Sequence, residues 1–339
     1  MRAWVVREPR PAAELPLEAV ELPDPEPGPG EVAITVRACG VCRTDLHIAE
    51  GDLAPRRDAV VPGHEVVGEV DRLGPGTSRF TLGERIGIAW LRSICGSCRA
   101  CRHGTENLCA APRFTGWTDD GGYAQRAVVP EAFAYRLPDE LDDVHAAPLL
   151  CSGIIGYRAL LRSGFRPGDR LGIWGFGASA HLTAQVALAM GAELHVVTRS
   201  AASRELAGHL GAAWTGDAGE TPPVPLDAAI SFAPAADVVA DALDCLAPGS
   251  ALSVAGIHVS GQLQLDYERH LFYERDLRSV TANTRADGEA FLAIAARVGL
   301  SVAVTAYRFD QAPDALIDLA EGRFAGAAVL TADGGDGQW

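Results

Sequence analysis

Two rhythms of apolar positions divide the chain. Through roughly the first 150 residues, short runs rich in valine, isoleucine and alanine are broken by glycine and proline: EVAITVRACGV (31–41), HEVVGEVDRLG (64–74) and AQRAVVPEAFAYRLP (124–138). Such runs predict short strands joined by turns, and their spacing predicts a β-rich, barrel-like domain. Beyond that point the runs lengthen and alternate. DRLGIWGFG (169–177) reads as a strand entering glycines, and SAHLTAQVALAMG (179–191) as a helix ending at Gly191. Further strands are expected at ELHVVTR, LDAAISFA and SALSVAGI, with helices at SRELAGHLG and DVVADALDCLAPG. Alternation of this length predicts a parallel sheet with crossover helices. A last helix, GEAFLAIAARVG (288–299), precedes a tail that either closes this sheet or returns to the first domain.

A chain of 339 residues is long enough for two such cores. Hydrophobic residues at 48% and charged residues at 22% fit a soluble globular protein. No segment is apolar for the length of a membrane span and the N-terminus lacks a signal-peptide pattern, so the expectation is a cytoplasmic protein with no membrane partner. The formal charge of −15 argues against nucleic acid as a partner. All 29 basic residues are arginine, which excludes a Schiff-base lysine, a P-loop lysine and a tyrosine–lysine catalytic pair.

Half of the eight cysteines lie in CGSCRACRHGTENLC, at Cys95, Cys98, Cys101 and Cys109. In a reducing compartment this spacing favours a metal cage over disulfides. A closed tetrahedral zinc site fits it, and an iron–sulfur cluster is the competitor. Cys42, His64 and Cys151 are scattered. Two cysteines and a histidine suffice for a catalytic zinc with an open position, yet singly each also reads as a packing thiol or a satisfied core histidine. Gly175-x-Gly177-x-x-Ala180 follows an expected strand and opens an expected helix, as a dinucleotide fingerprint requires. At the end of the next strand Thr198, Arg199 and Ser200 stand where NAD enzymes place an acid. An arginine with two hydroxyls favours NADP over NAD, although Arg199 stacked on adenine would accept either.

Taken in order, GVCRTDLH, PGHEVVGEV, the four-cysteine lobe, LLCSGIIGYRAL and the glycine-rich turn resemble the zinc-dependent medium-chain alcohol dehydrogenases over essentially the whole chain. The resemblance implies a GroES-like catalytic domain at 1–153 with a zinc lobe at 90–112, a Rossmann NAD(P)-binding domain at 154–285, and a segment, 286–339, returning to the catalytic domain. It implies a catalytic zinc on Cys42, His64 and Cys151 and a structural zinc on the clustered cysteines, leaving Cys39 and Cys245 as packing thiols. Asp45 then matches the carboxylate that orients the histidine ligand, and Glu65 the carboxylate behind the metal. Thr44 and His47 match the inner and outer members of the proton relay. Arg43 matches a pyrophosphate contact, Gly175, Gly177 and Ala178 the cofactor turn, and Leu53 and Trp90 the substrate pocket. Where the family commonly has threonine beside the nicotinamide, this chain has Ile155. The implied activity is reversible hydride transfer between a small primary alcohol or aldehyde and NAD(P), in a dimer or tetramer. An NADP-binding zinc-thiolate sensor or scaffold without turnover is the alternative, and the Thr44–His47 relay weighs against it.

Overall fold

The computed structural model describes residues 1–257, 259–324 and 326–332. Two compact units emerge. The first comprises 1–151, 282–296 and the chain from 302 onward; the second comprises 152–281 and 297–301. The return from the second unit therefore begins at Ala282 rather than at 286. The short stretch 297–301 stays with the second unit, because the Ser301 carbonyl accepts from Gln185 Nε2 and lies 2.9 Å from His181 Nε2.

In the first unit the strand Glu31–Val41 is the spine of a seven-stranded sheet. Val66–Leu73, Arg126–Pro130 and Ala327–Thr331 all pair with it antiparallel. Arg85–Ile88 and Ala134–Arg136 continue the sheet on one side, and Val304–Arg308 ends it on the other, parallel to Ala327–Thr331. The alternation of Val32, Ile34 and Val36 sends these side chains into the main core, with Val66, Val70, Ile86 and Ile88. The run 124–138, expected as one strand, is two. A 3-10 turn at Glu131–Phe133 follows Pro130, whose missing N–H cannot continue a ladder. The helix Arg43–Glu50 was not visible in the hydrophobic pattern: eight residues are too few to show a periodicity.

The second unit holds a six-stranded parallel sheet. Its spatial order is Trp214–Gly216, Glu193–Val197, Arg170–Trp174, Leu226–Ser231, Leu246–Val254 and Asp276–Ser279. Numbered along the chain, this is 3-2-1-4-5-6, the doubly wound dinucleotide-binding order. The outermost strands, of three and four residues, carry no apolar run that sequence alone would single out. The helix Ala178–Ala189 buries residues on nearly all sides, as an inner crossover helix must. Among the described residues no single helix is long and apolar enough to cross a membrane.

The helices Ser152–Arg162 and Ala178–Ala189 approach closely at Gly156. A Cβ there would stand 2.1 Å from Thr183 Oγ1 and 2.9 Å from the Ser179 carbonyl. Gly156→Ala should cost about 1–3 kcal/mol through overpacking, read as a lowered urea midpoint; an unchanged midpoint would contradict this packing.

Candidate active site

Cys42 directly follows the spine strand and caps the helix Arg43–Glu50. Its Sγ accepts from the Thr44 amide at 3.3 Å, and its own amide donates to Asp45 Oδ2 at 2.9 Å. One capping box thus places both a thiol and a carboxylate. The helix N-terminus also favours the thiolate form of Cys42.

The segment VPGHE delivers His64. Gly63 adopts φ +94, and a Cβ there would stand 2.4 Å from the Tyr123 ring, so only glycine turns the chain at this point. Residues 120–123 brace the turn: Gly121 N donates to Val61 O, Gly122 N to Gly63 O and Tyr123 N to Pro62 O. Asp45 Oδ1 then accepts from the Gly63 amide at 3.1 Å and lies 3.1 Å from His64 Nδ1. A carboxylate can only accept, so Nδ1 carries the proton and Nε2 is turned toward the thiols, 3.2 Å from Cys42 Sγ. Cys151 follows the buried turn Ala147–Leu150. Ligand atoms of Cys42, His64, Glu65 and Cys151 all lie within 4.8 Å of one another.

The electrostatics describe a site short of positive charge. The hydrogen bond with Cys151 and the His64 charge hold the Cys42 thiol well below its ordinary pKa, against the cost of burial. Cys151 is pushed well above its own by the same hydrogen bond and by burial. Burial disfavours an imidazolium at His64, but the Cys42 thiolate and the Asp45 carboxylate outweigh it and raise its pKa well above the usual value. Burial raises Asp45, with His64 pulling the other way. A divalent cation would resolve this crowding of anionic donors, and the soft thiolate–imidazole set suits zinc. Glu65 fits behind the group only because position 40 is glycine: a Cβ on Gly40 would fall 1.7 Å from Glu65 Oε2.

Cys95, Cys98, Cys101 and Cys109 form a second group within 4.8 Å. Cys98 and Cys101 Sγ are 3.5 Å apart, and Cys95 and Cys101 are 4.0 Å apart. A single zinc with bonds of about 2.3 Å sets tetrahedral sulfurs about 3.8 Å apart. These spacings suit one ion; a cluster with each thiolate on its own iron would spread them further. Backbone amides of Cys98 and Cys95 donate to Cys95 and Cys109 Sγ at 3.3 Å. Amides at Ser97 and Cys98 lower the Cys95 pKa to about 6, whereas desolvation lifts Cys101 to about 12. Cys39 is buried in the core, and Cys245 donates to the Asp241 carbonyl.

Thr44 is buried on the capped helix, with His47 one turn later and Arg43 exposed at its start. His47 Nδ1 meets Asp52 Oδ2 at 2.7 Å, a partner that sequence reasoning missed because it lies in the following loop. Trp90 meets the His64 ring edge-on at 5.0 Å and stacks on Phe114 and Trp117. Those two rings also escaped notice, since no periodicity links positions 90, 114 and 117. Leu53 packs against the same core as Trp90. In the second unit Gly175 has φ +81 beside Ala233, and Gly177 caps the helix begun by Ala178. Ile155 is half-buried on its helix, Thr198 is buried, and Arg199 and Ser200 are exposed. Ser200 accepts from the Ser203 amide as a helix N-cap, so part of its hydrogen-bonding capacity serves the fold.

Residues 28–139 match the family model of the alcohol dehydrogenase GroES-like domain, and residues 180–297 that of the zinc-binding dehydrogenases. The chain is 56% identical to the protein named probable alcohol dehydrogenase AdhA of Mycobacterium tuberculosis, over 97% of each chain. The acetophenone reductase of Geotrichum candidum, solved with NAD, superposes with a TM-score of 0.86 at 26% identity, over 97% of this chain and 96% of that one. A zinc-binding dehydrogenase from Sinorhizobium meliloti, solved with NADP, superposes with a TM-score of 0.87 at 26% identity, over 97% and 98%.

Exchanges at the two cysteine groups should separate their duties. Cys98→Ser should lower the thermal midpoint and the zinc count, whereas Cys42→Ser should leave a folded protein with little activity. Asp45→Asn should cost about 10–100-fold in metal affinity or activity. Full thermal midpoint and zinc content in Cys98→Ser, by melting and metal analysis, would overturn this division.

Proposed function

The chain belongs to the zinc-dependent medium-chain alcohol dehydrogenases, and from that membership we propose which of its residues do what. The reaction is reversible hydride transfer between a small alcohol or aldehyde and a nicotinamide cofactor. Cys42, His64 and Cys151 hold a catalytic zinc, and Cys95, Cys98, Cys101 and Cys109 a structural one. The observation that carries this reading is His64 itself: Asp45 accepts a hydrogen bond from its Nδ1–H, and Nε2 faces the Cys42 Sγ. Bound there, zinc supplies Lewis-acid polarisation of an alcohol or carbonyl oxygen, and the nicotinamide supplies hydride chemistry.

The chain's own residues do the rest. Thr44 keeps its hydroxyl at the buried start of the helix, where it would take a proton from the alcohol oxygen while handing its own to the ribose of the bound cofactor, or the reverse. His47 passes that proton outward, with Asp52 fixing its ring through Nδ1. Glu65 sets its buried carboxyl group behind the ligands, suited to ligand exchange. Gly175, Gly177 and Ala178 let a pyrophosphate approach the N-terminus of the helix Ala178–Ala189. The family resemblance assigns Arg43 to a cofactor phosphate, Ile155 to the nicotinamide ring, and Leu53 and Trp90 to the substrate pocket.

NADP is the favoured cofactor. No carboxylate follows the strand Glu193–Val197, and a 2′-phosphate there would meet Arg199, the Ser200 hydroxyl and the N-terminus of the helix Ala201–Leu210. Arg204 is occupied by the Thr198 carbonyl and Asp217, which leaves Arg199 as the phosphate's guanidinium. A homo-oligomer, dimer or tetramer, is also proposed. The open side of the strand Asp276–Ser279 and the exposed Tyr267, Phe272 and Tyr273 support it.

Benzaldehyde and short aliphatic aldehydes should be reduced faster with NADPH than with NADH at equal concentration. Arg199→Asp should lower the NADPH-to-NADH ratio of kcat/KM by about 10–100-fold, the worth of hydrogen bonds to a charged group. Turnover with NADH alone in the native enzyme would overturn the cofactor assignment while leaving the dehydrogenase intact.

A further inference from the structure

A row of aromatic rings leads away from His64 and ends in a cation. Trp90 meets His64 edge-on at 5.0 Å, Trp117 lies nearly parallel to Trp90 at 5.9 Å, and the Arg56 guanidinium carbon sits 4.9 Å over the Trp117 ring. Those steps place the guanidinium no more than about 16 Å from the His64 ring. The Trp117 indole N–H donates to the Ala54 carbonyl at 3.0 Å, so the loop that carries Arg56 is tied to the ring on which Arg56 rests.

The neighbouring arginines are neutralised. Arg57 pairs with Asp120 at 3.0 Å, and Arg7 with Glu18 at 3.5 Å. Arg56 has no carboxylate partner among the described residues, on a chain whose formal charge is −15. A guanidinium held over an aromatic ring can still turn N–H groups outward to a carboxylate. An acidic protein repels anionic substrates, and a local unpaired cation offsets that repulsion where it lies.

We propose that Arg56 determines specificity, selecting aldehydes and alcohols that carry a carboxylate at the end remote from the reacting carbon. The flat or conjugated body of such a substrate lies along Trp90 and Trp117. This rests on the alcohol dehydrogenase reading of the His64 site.

The test compares initial rates for 4-formylbenzoate and 4-formylcinnamate, each against its own methyl ester, at low ionic strength with the zinc-loaded enzyme. Reading the acid-to-ester ratio of kcat/KM within each variant cancels any general effect of a substitution. The native ratio should exceed one for at least one pair, and Arg56→Gln should lower it about fivefold, the upper range for an exposed charge pair. Arg56→Lys should retain part of the preference, and Arg57→Gln, whose partner is Asp120, should retain all of it. Salt at about 0.5 M should bring the native ratio toward that of Arg56→Gln. Equal ratios in the native enzyme and Arg56→Gln, with the esters reduced normally, overturn the role of Arg56 alone. Reduction of neither acid nor ester overturns the dehydrogenase reading and this inference with it.

Discussion

Asp45 is a carboxylate with almost no exposure that accepts from the Cys42 amide and the Gly63 amide and meets Nδ1 of His64. Burying such a charge is costly unless every lone pair finds a donor. The three donors come from three places: the end of the spine strand, the glycine turn and the histidine. Satisfying one carboxylate therefore joins the two segments that carry the first two candidate ligands, and it fixes the histidine tautomer at the same time.

The shape of the surrounding backbone follows from small residues at points of contact. Gly40 leaves room for Glu65, and Gly63 lets the chain turn against Tyr123 and Cys39. Two thiols, two carboxylates and one imidazole are thereby held together, the carboxylates and the imidazole buried and the thiols partly so. The lowered pKa of Cys42 and the raised values of Cys151 and His64 follow from this crowding of donors, whose charge a divalent cation would neutralise. The four-cysteine lobe solves a different problem. It has little apolar core, three of its four cysteines are not buried, and amide donors turn toward its sulfurs.

In the second unit a different economy prevails. The parallel sheet is covered by helices and needs near-continuous apolar strands, such as Leu171, Ile173 and Trp174 beside Leu194, Val196 and Val197. Its candidate cofactor contacts lie at strand ends, where Gly175 takes a positive φ and Ser200 caps the following helix. Ser200 thus has a structural duty beside any contact with a cofactor.

Much of this was legible from residue order alone. Apolar runs long enough to show a period located the spine strand, the crossover helices and four strands of the parallel sheet, because burial on one face or two leaves a repeating mark. The cysteine spacing was local too, since four ligands within fifteen residues need no knowledge of the fold. Cys42, His64 and Cys151 became a set only through a family resemblance, as nothing in their spacing links positions so far apart. Tertiary structure alone disclosed Asp52 beside His47, Phe114 and Trp117 against Trp90, and Arg56 over Trp117. It also divided 124–138 into two strands and revealed edge strands of three and four residues. Such features depend on which distant segments meet, and contact between distant segments leaves no periodic trace in a sequence.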